Sequence, residues 1–350
     1  MDSATSQYAC IWCKCSKDDR HDPDKKWSIS DKELGARTIE ENVSTSRLVK
    51  SKRQFNVSNK PLFPSIPLTN VVIDNLHLFL HVSDVLIRLL ITELRRQHAI
   101  DKVNKFSTFD VQKYEHLQRF ENFVCSLGIP NFQFYIGQNS KMLKTRTLTG
   151  TEKLKVFKHI KMARLLPKMD TMEVVRIQHL WTELLEINHL LSKSPDSMSA
   201  ADVRTFEDKA REWVHCFVDV YHRENVTPYI HAMANHVSEF MQIHGSVLPF
   251  TQQGLEKYND VMTKQYFRAT CHRDTQALRQ ILEKQNRIEY LRDRDAKKPK
   301  CFETKCSNCH QPGHKRLTCL EPCSQCSYTP YRAHLIDVDG LHLPACNQEN

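Results

Sequence analysis

Apolar residues recur at three- and four-residue spacing over residues 71–98, 108–127, 171–193, 200–223, 227–243, 252–269 and 274–292, with Pro, Gly or Ser/Asp clusters between these stretches. This pattern predicts seven helices and a mainly α fold class. Residues 132–136 read as a short strand, and residues 148–157 fit neither period. Pro61, Pro64 and Pro67 predict an extended linker, because each proline fixes its own φ and pushes its predecessor out of the helical region. Residues 296–300, rich in Lys and Pro, predict a second linker. The chain therefore reads as three segments. Residues 1–60 form a polar N-terminal segment carrying Cys10, Cys13 and Cys15 and a basic arm at Lys50, Lys52 and Arg53. Residues 61–295 form a helical body, and residues 301–346 form a small cysteine-rich module.

Composition narrows the function classes. Glycine numbers 8 in 350 residues, against a usual share of about 7%. That scarcity argues against glycine-cradled nucleotide folds and turn-dense β-sandwiches. The most apolar run, residues 71–91, is interrupted by Asp74, His77, His81, Asp84 and Arg88, so no membrane-crossing helix is predicted. The N-terminus lacks the basic start and apolar core of a secretory signal, which points to an intracellular protein. Fifty Lys and Arg against 41 Asp and Glu leave +9, a balance that suits a polyanionic partner without requiring one. Thirteen cysteines, an odd number concentrated in the two terminal segments, fit metal binding better than disulfides.

Cys306, Cys309, His314 and Cys319 stand in a C-x2-C-x4-H-x4-C pattern, that of a zinc knuckle. Three thiolates and one imidazole close a tetrahedral Zn2+ site, and Gly313 frees the backbone just before the histidine. So short a segment has no apolar core, and metal binding would supply its folding energy. Knuckles of this type engage exposed bases of nucleic acid, with Lys305, Lys315 and Arg316 as phosphate contacts. Ser307 and Asn308 stand where a base-stacking aromatic would help, which leaves protein docking as the alternative use. Cys323 and Cys326 offer a second ligand pair, to be completed by His334, His342 or Cys346, with Cys301 as a competitor.

Cys10 and Cys13 form another C-x2-C, but His21 is the only histidine in the following 60 residues, so partners must come from far along the chain. His231 and His236 give H-x4-H, within the spacing of paired zinc histidines. Five helical residues turn through about 500°, so both rings reach one ion only at a helix end or a distortion. Spacing alone leaves open that these are surface thiols and ordinary helical histidines. A further pattern is the line Asp74, His77, His81, Asp84, Arg88, spaced 3, 4, 3, 4 on an otherwise apolar helix. It faces either solvent or a functional cleft.

In order and spacing, these residues resemble the C-terminal half of the catalytic core of the V(D)J recombinase catalytic subunit and of Transib-type DDE transposases. The likeness is sparse in identity and covers about residues 8–272. Its elements are Cys10 with Cys13, the Asp74 to His77 segment, His231 with His236, and Glu256, which follows His236 by 20 residues. The resemblance implies that Cys10, Cys13, His231 and His236 share one zinc. It also implies that the helical body corresponds to the zinc-binding insertion and last catalytic helix of an RNase H-like fold, with Glu256 as the third metal-binding carboxylate and Asp74 and His77 near it. A two-metal arrangement of Asp74, Asp84 and Glu256 is a further expectation on this basis. The family's two catalytic aspartates precede the C-x2-C, and only nine residues precede Cys10 here. A fragment with an incomplete active site is therefore expected, inactive alone, taking Mg2+ or Mn2+ only if missing sequence completes the site. Nucleic acid is the expected partner, a homodimer the expected assembly and the nucleus the expected location. The alternatives are a single-stranded RNA- or DNA-binding module on a helical scaffold and a zinc-stabilised protein-interaction adaptor.

Overall fold

The computed structural model describes residues 6–22, 24–96, 114–137, 143–293 and Cys309. Among these residues the chain is mainly helical. In order the elements are α1 (Ile39–Ser46), α2 (Asn75–Arg96), α3 (Glu115–Ser126), β1 (Phe134–Ile136), β2 (Leu143–Thr145), α4 (Gly150–His159), α5 (Met162–Leu165), α6 (Thr171–Leu191), α7 (Ala200–Tyr221), α8 (Pro228–Asn235), α9 (Val237–His244), α10 (Gln253–Ala269) and α11 (Asp274–Asp293). They divide into two compact units, Met1–Glu256 and Lys257–Asn350.

Local chemistry sets many of the helix starts. Thr38 with Glu41, Thr149 with Glu152, and Ser199 with Asp202 form reciprocal capping boxes that satisfy the first free N–H groups of α1, α4 and α7. Asp170 caps α6, and Thr227 followed by Pro228 starts α8. The strand expected at 132–136 is β1, which pairs antiparallel with β2 in the register Phe134 to Thr145. Residues 148–157, which fitted neither period, prove to lie mostly in α4.

The core of the first unit lies where α2, α4, α6, α7 and α8 pack on one another. Trp181 and Trp213 are fully buried, Phe157 stacks on Trp181 at 4.1 Å between ring centres, and the Trp213 indole donates to the Leu180 carbonyl at 2.8 Å. By length and composition α2 is apolar enough to cross a membrane, yet Leu78, Val82, Leu86, Leu90 and Leu94 are all buried within the protein. It is therefore the central core helix. Lys153 of α4 locks against it, its ammonium donating to the Leu80 carbonyl at 2.9 Å and pairing with Asp84 at 2.7 Å, while burial pulls its pKa down. The N-terminal segment joins the same core through Cys10, Trp12, Cys13 and Ile29.

Candidate metal centre

The H-x4-H distortion anticipated from sequence is found at His236. This residue ends α8 and begins α9 with φ −118° and ψ −28°, so the helix axis breaks between the two histidines and lets both rings turn inward. Their centroids lie 4.9 Å apart at 84°. The cysteine loop meets them from the other side, pinned by the Cys13 to Ala36 bridge, by Lys14 donating to the Gly35 carbonyl at 2.9 Å and by Arg37 N donating to the Trp12 carbonyl at 2.8 Å. The Arg37 guanidinium holds the Cys13 carbonyl at 2.7 Å and the Phe55 carbonyl at 2.8 Å.

Across 226 and 218 residues of sequence, Cys10 Sγ reaches His236 Nε2 and Cys13 Sγ reaches His231 Nε2, each at 3.3 Å. All four ligand atoms lie within 4.8 Å of one another, and all four residues are buried. A tetrahedral zinc with ordinary bond lengths places neighbouring sulfur and nitrogen ligands about 3.6 Å apart. The group therefore fits such an ion with little adjustment. The chemistry of the donors agrees, since two thiolates neutralise a divalent cation in a buried site. His236 Nδ1 is buried without a hydrogen-bond partner, so the ring is oriented by its packing and by whatever its Nε2 meets rather than by a bond at Nδ1. Burial pushes the His231 pKa down, and the Cys13 and Cys10 sulfurs outweigh that effect and leave it raised. In the metal-bound site the ion takes the place of that proton. Cys15, also buried, turns away and donates to the Ser16 carbonyl.

The shell around the centre was not legible from sequence. Trp12 stands edge-on to His236 at 5.8 Å and to Phe240 at 5.4 Å, and its indole donates to the Val71 carbonyl at 2.8 Å. Trp27 covers His231 at 6.5 Å, and Trp27 N donates to Asn235 Oδ1 at 3.3 Å. Glu239 of α9 accepts from Ser28 Oγ at 2.8 Å and Ile29 N at 3.1 Å, fastening the N-terminal segment to the helix pair. Gly35 sits at φ +79°, and a Cβ there would meet the Trp27 ring at 2.7 Å. Of these, only Trp12 carried a signal, by falling inside the C-x2-C.

The structure also brings Asp74, His77 and Glu256 together. Asp74 is buried immediately before α2, accepting from Leu76 N and His77 N at 3.2 Å each and from Gln252 N at 3.0 Å, which draws the start of α10 to the start of α2. His77 pairs with Asp74 through Nδ1, and its Nε2 lies 3.8 Å from a Glu256 oxygen. His81, the next residue of the line, stacks on Tyr229 at 4.1 Å. Asp84 is not part of this group. It lies ten residues along from Asp74, about 15 Å at the helical rise, and is paired with Lys153. The expected arrangement of Asp74, Asp84 and Glu256 is thereby corrected, because one polar line on a helix need not serve one site. Cys306, His314, Cys319, Cys323, Cys326, Lys305, Lys315 and Arg316 lie outside the described residues, and Cys309 by itself defines no knuckle geometry.

No protein-family model matches the chain, and no curated protein matches it either.

Proposed function

We propose that this chain is a zinc-stabilised nucleic-acid-binding protein descended from a DDE-type transposase or recombinase. The observation that carries the reading is the meeting of Cys10, Cys13, His231 and His236, in the pairing that the resemblance implies and across more than 200 residues. The ion supplies four strong bonds that hold the N-terminal segment to α8 and α9. With four protein ligands and no open position, it is structural and leaves no coordination site for a substrate. Asp74, His77 and Glu256 supply a second point of support, because the carboxylate expected from the family lies beside the histidine expected with it. In this reading they belong to a catalytic face at which phosphoryl transfer would need further carboxylates. Nucleic acid is engaged by the knuckle at Cys306, Cys309, His314 and Cys319, with its flanking cations on phosphates.

The test is binding of the purified, zinc-loaded chain to labelled single- and double-stranded oligonucleotides across a salt series. Affinity that falls steeply with salt supports the reading. A chain that holds zinc but binds neither oligonucleotide at low salt contradicts the nucleic-acid part and leaves a zinc-stabilised adaptor.

A further inference from the structure

We infer that the groove between α2 and the β1–β2 hairpin binds a single strand of nucleic acid, its phosphates held by Arg88 and Lys144 and a base stacked on Tyr135. This inference deepens the nucleic-acid reading by giving it a second contact surface, in the helical body.

The groove encloses about 540 Å³ and is lined from the helix by Arg88 and Arg95 and from the hairpin by Tyr135, Lys144 and Arg146. Two of these cations, Arg88 and Lys144, are matched by no described carboxylate. Asp84, the carboxylate in the lining, is taken by Lys153 at 2.7 Å. Arg146 is spent on Glu152, with bonds of 2.8 and 3.0 Å to the two carboxylate oxygens. Lys144 forms no ion pair with a described residue. Arg88 partners the neutral Asn225 Oδ1 at 3.2 Å, and its pKa is lowered because it is partly stripped of water. Arg88 remains exposed, so its guanidinium is free to meet an anion that enters the groove in a charge-assisted hydrogen bond. Tyr135, in contrast, is 43% exposed beside these cations, although its strand neighbour Phe134 is buried. A row of cations with a flat exposed ring is the combination used for unpaired strands, in which backbone charge supplies affinity and stacking supplies contact with any base. An acidic peptide would use the cations and leave the ring without a stacking partner.

The test uses the full chain loaded with zinc and a fluorescent oligothymidylate, with anisotropy read across a salt series. The variants are Arg88→Gln/Lys144→Gln, Tyr135→Ala and Tyr135→Phe, each checked for unchanged zinc content and melting temperature. The charge variant should lower the slope of log affinity against log salt by about 1.4, at about 0.7 per phosphate contact on a single strand. Tyr135→Ala should weaken binding about 5-fold or more with little change in slope, and Tyr135→Phe should restore it. Wild-type affinity and slope in all three variants would overturn the groove while leaving the nucleic-acid reading to the knuckle. Absence of binding by the unaltered chain would remove both. Displacement of the oligonucleotide by polyglutamate at equal charge concentration would overturn the assignment to a nucleic-acid strand.

Discussion

The two convergent sites of this protein are built alike and exposed differently. Cys10, Cys13, His231 and His236 are drawn together from opposite ends of the first unit and sealed by Trp12 and Trp27, whereas Asp74, His77 and Glu256 meet where two helices begin, with the Glu256 side chain 55% exposed. A fully buried, four-donor site has no face left for a substrate, so its contribution is to hold the fold. An ionisable group at the surface contributes little to stability but can touch solvent and ligands. The depth of each site thus fits the buried group to holding the fold and leaves the Glu256 side chain open to solvent.

The comparison is broken most severely at the buried site. Cys13→Ser with His231→Ala should abolish zinc binding there and unfold the first unit, since structural zinc contributes on the order of 10 kcal/mol against a total domain stability of about 5–15 kcal/mol. Circular dichroism with metal analysis reads both effects. A folded variant of unchanged melting temperature would mean that the tether is dispensable.

Acid should act on the same site through its ligands. Thiolate and neutral imidazole ligands must take up protons as the ion leaves, so zinc should be released as pH falls below the ordinary histidine range, about 6.5. Release followed with a chromogenic chelator should coincide with loss of the N-terminal contacts, read by Trp12 and Trp27 fluorescence. Retention of those contacts in the metal-free protein would contradict the assignment.

Smaller effects sharpen the contrast. Gly35→Ala forces a side chain into a left-handed backbone position and against Trp27. It should cost about 1–3 kcal/mol in urea unfolding and weaken zinc retention, because the displaced ring covers His231. Asp74→Ala removes the helix cap of α2 and the partner of His77, at a cost of about 1–2 kcal/mol with zinc content unchanged. Glu256→Gln should stay within about 0.5 kcal/mol of the unaltered protein. A large loss of stability in Glu256→Gln would make that residue structural and erase the distinction between the two sites.

Much of this was legible in sequence because α6, α7, α10 and α11 keep one helical period along their length. The helix expected over 227–243 is instead two, since nothing in the apolar pattern marks the break at His236. Only the demand that two histidines five residues apart face one point signals it. The short α1 went unrecognised despite the Thr38 and Glu41 capping box, because a helix with no buried residue has no strong apolar stripe. In β2, the Leu-Lys-Thr run is too short to show alternation, and its pairing with β1 is a tertiary fact. Asp74 stands first in the polar line by spacing, but its carboxylate is committed to the backbone N–H groups that open α2 and to Gln252. The cysteine and histidine pairs were visible as halves, and joining them across the chain required the resemblance.

The central claim is that one metal ion joins the two ends of the first unit. Native mass spectrometry of the intact chain beside a Cys10→Ser/His236→Ala variant tests it most directly. The variant should carry one zinc fewer per molecule. Equal zinc in both proteins would contradict it.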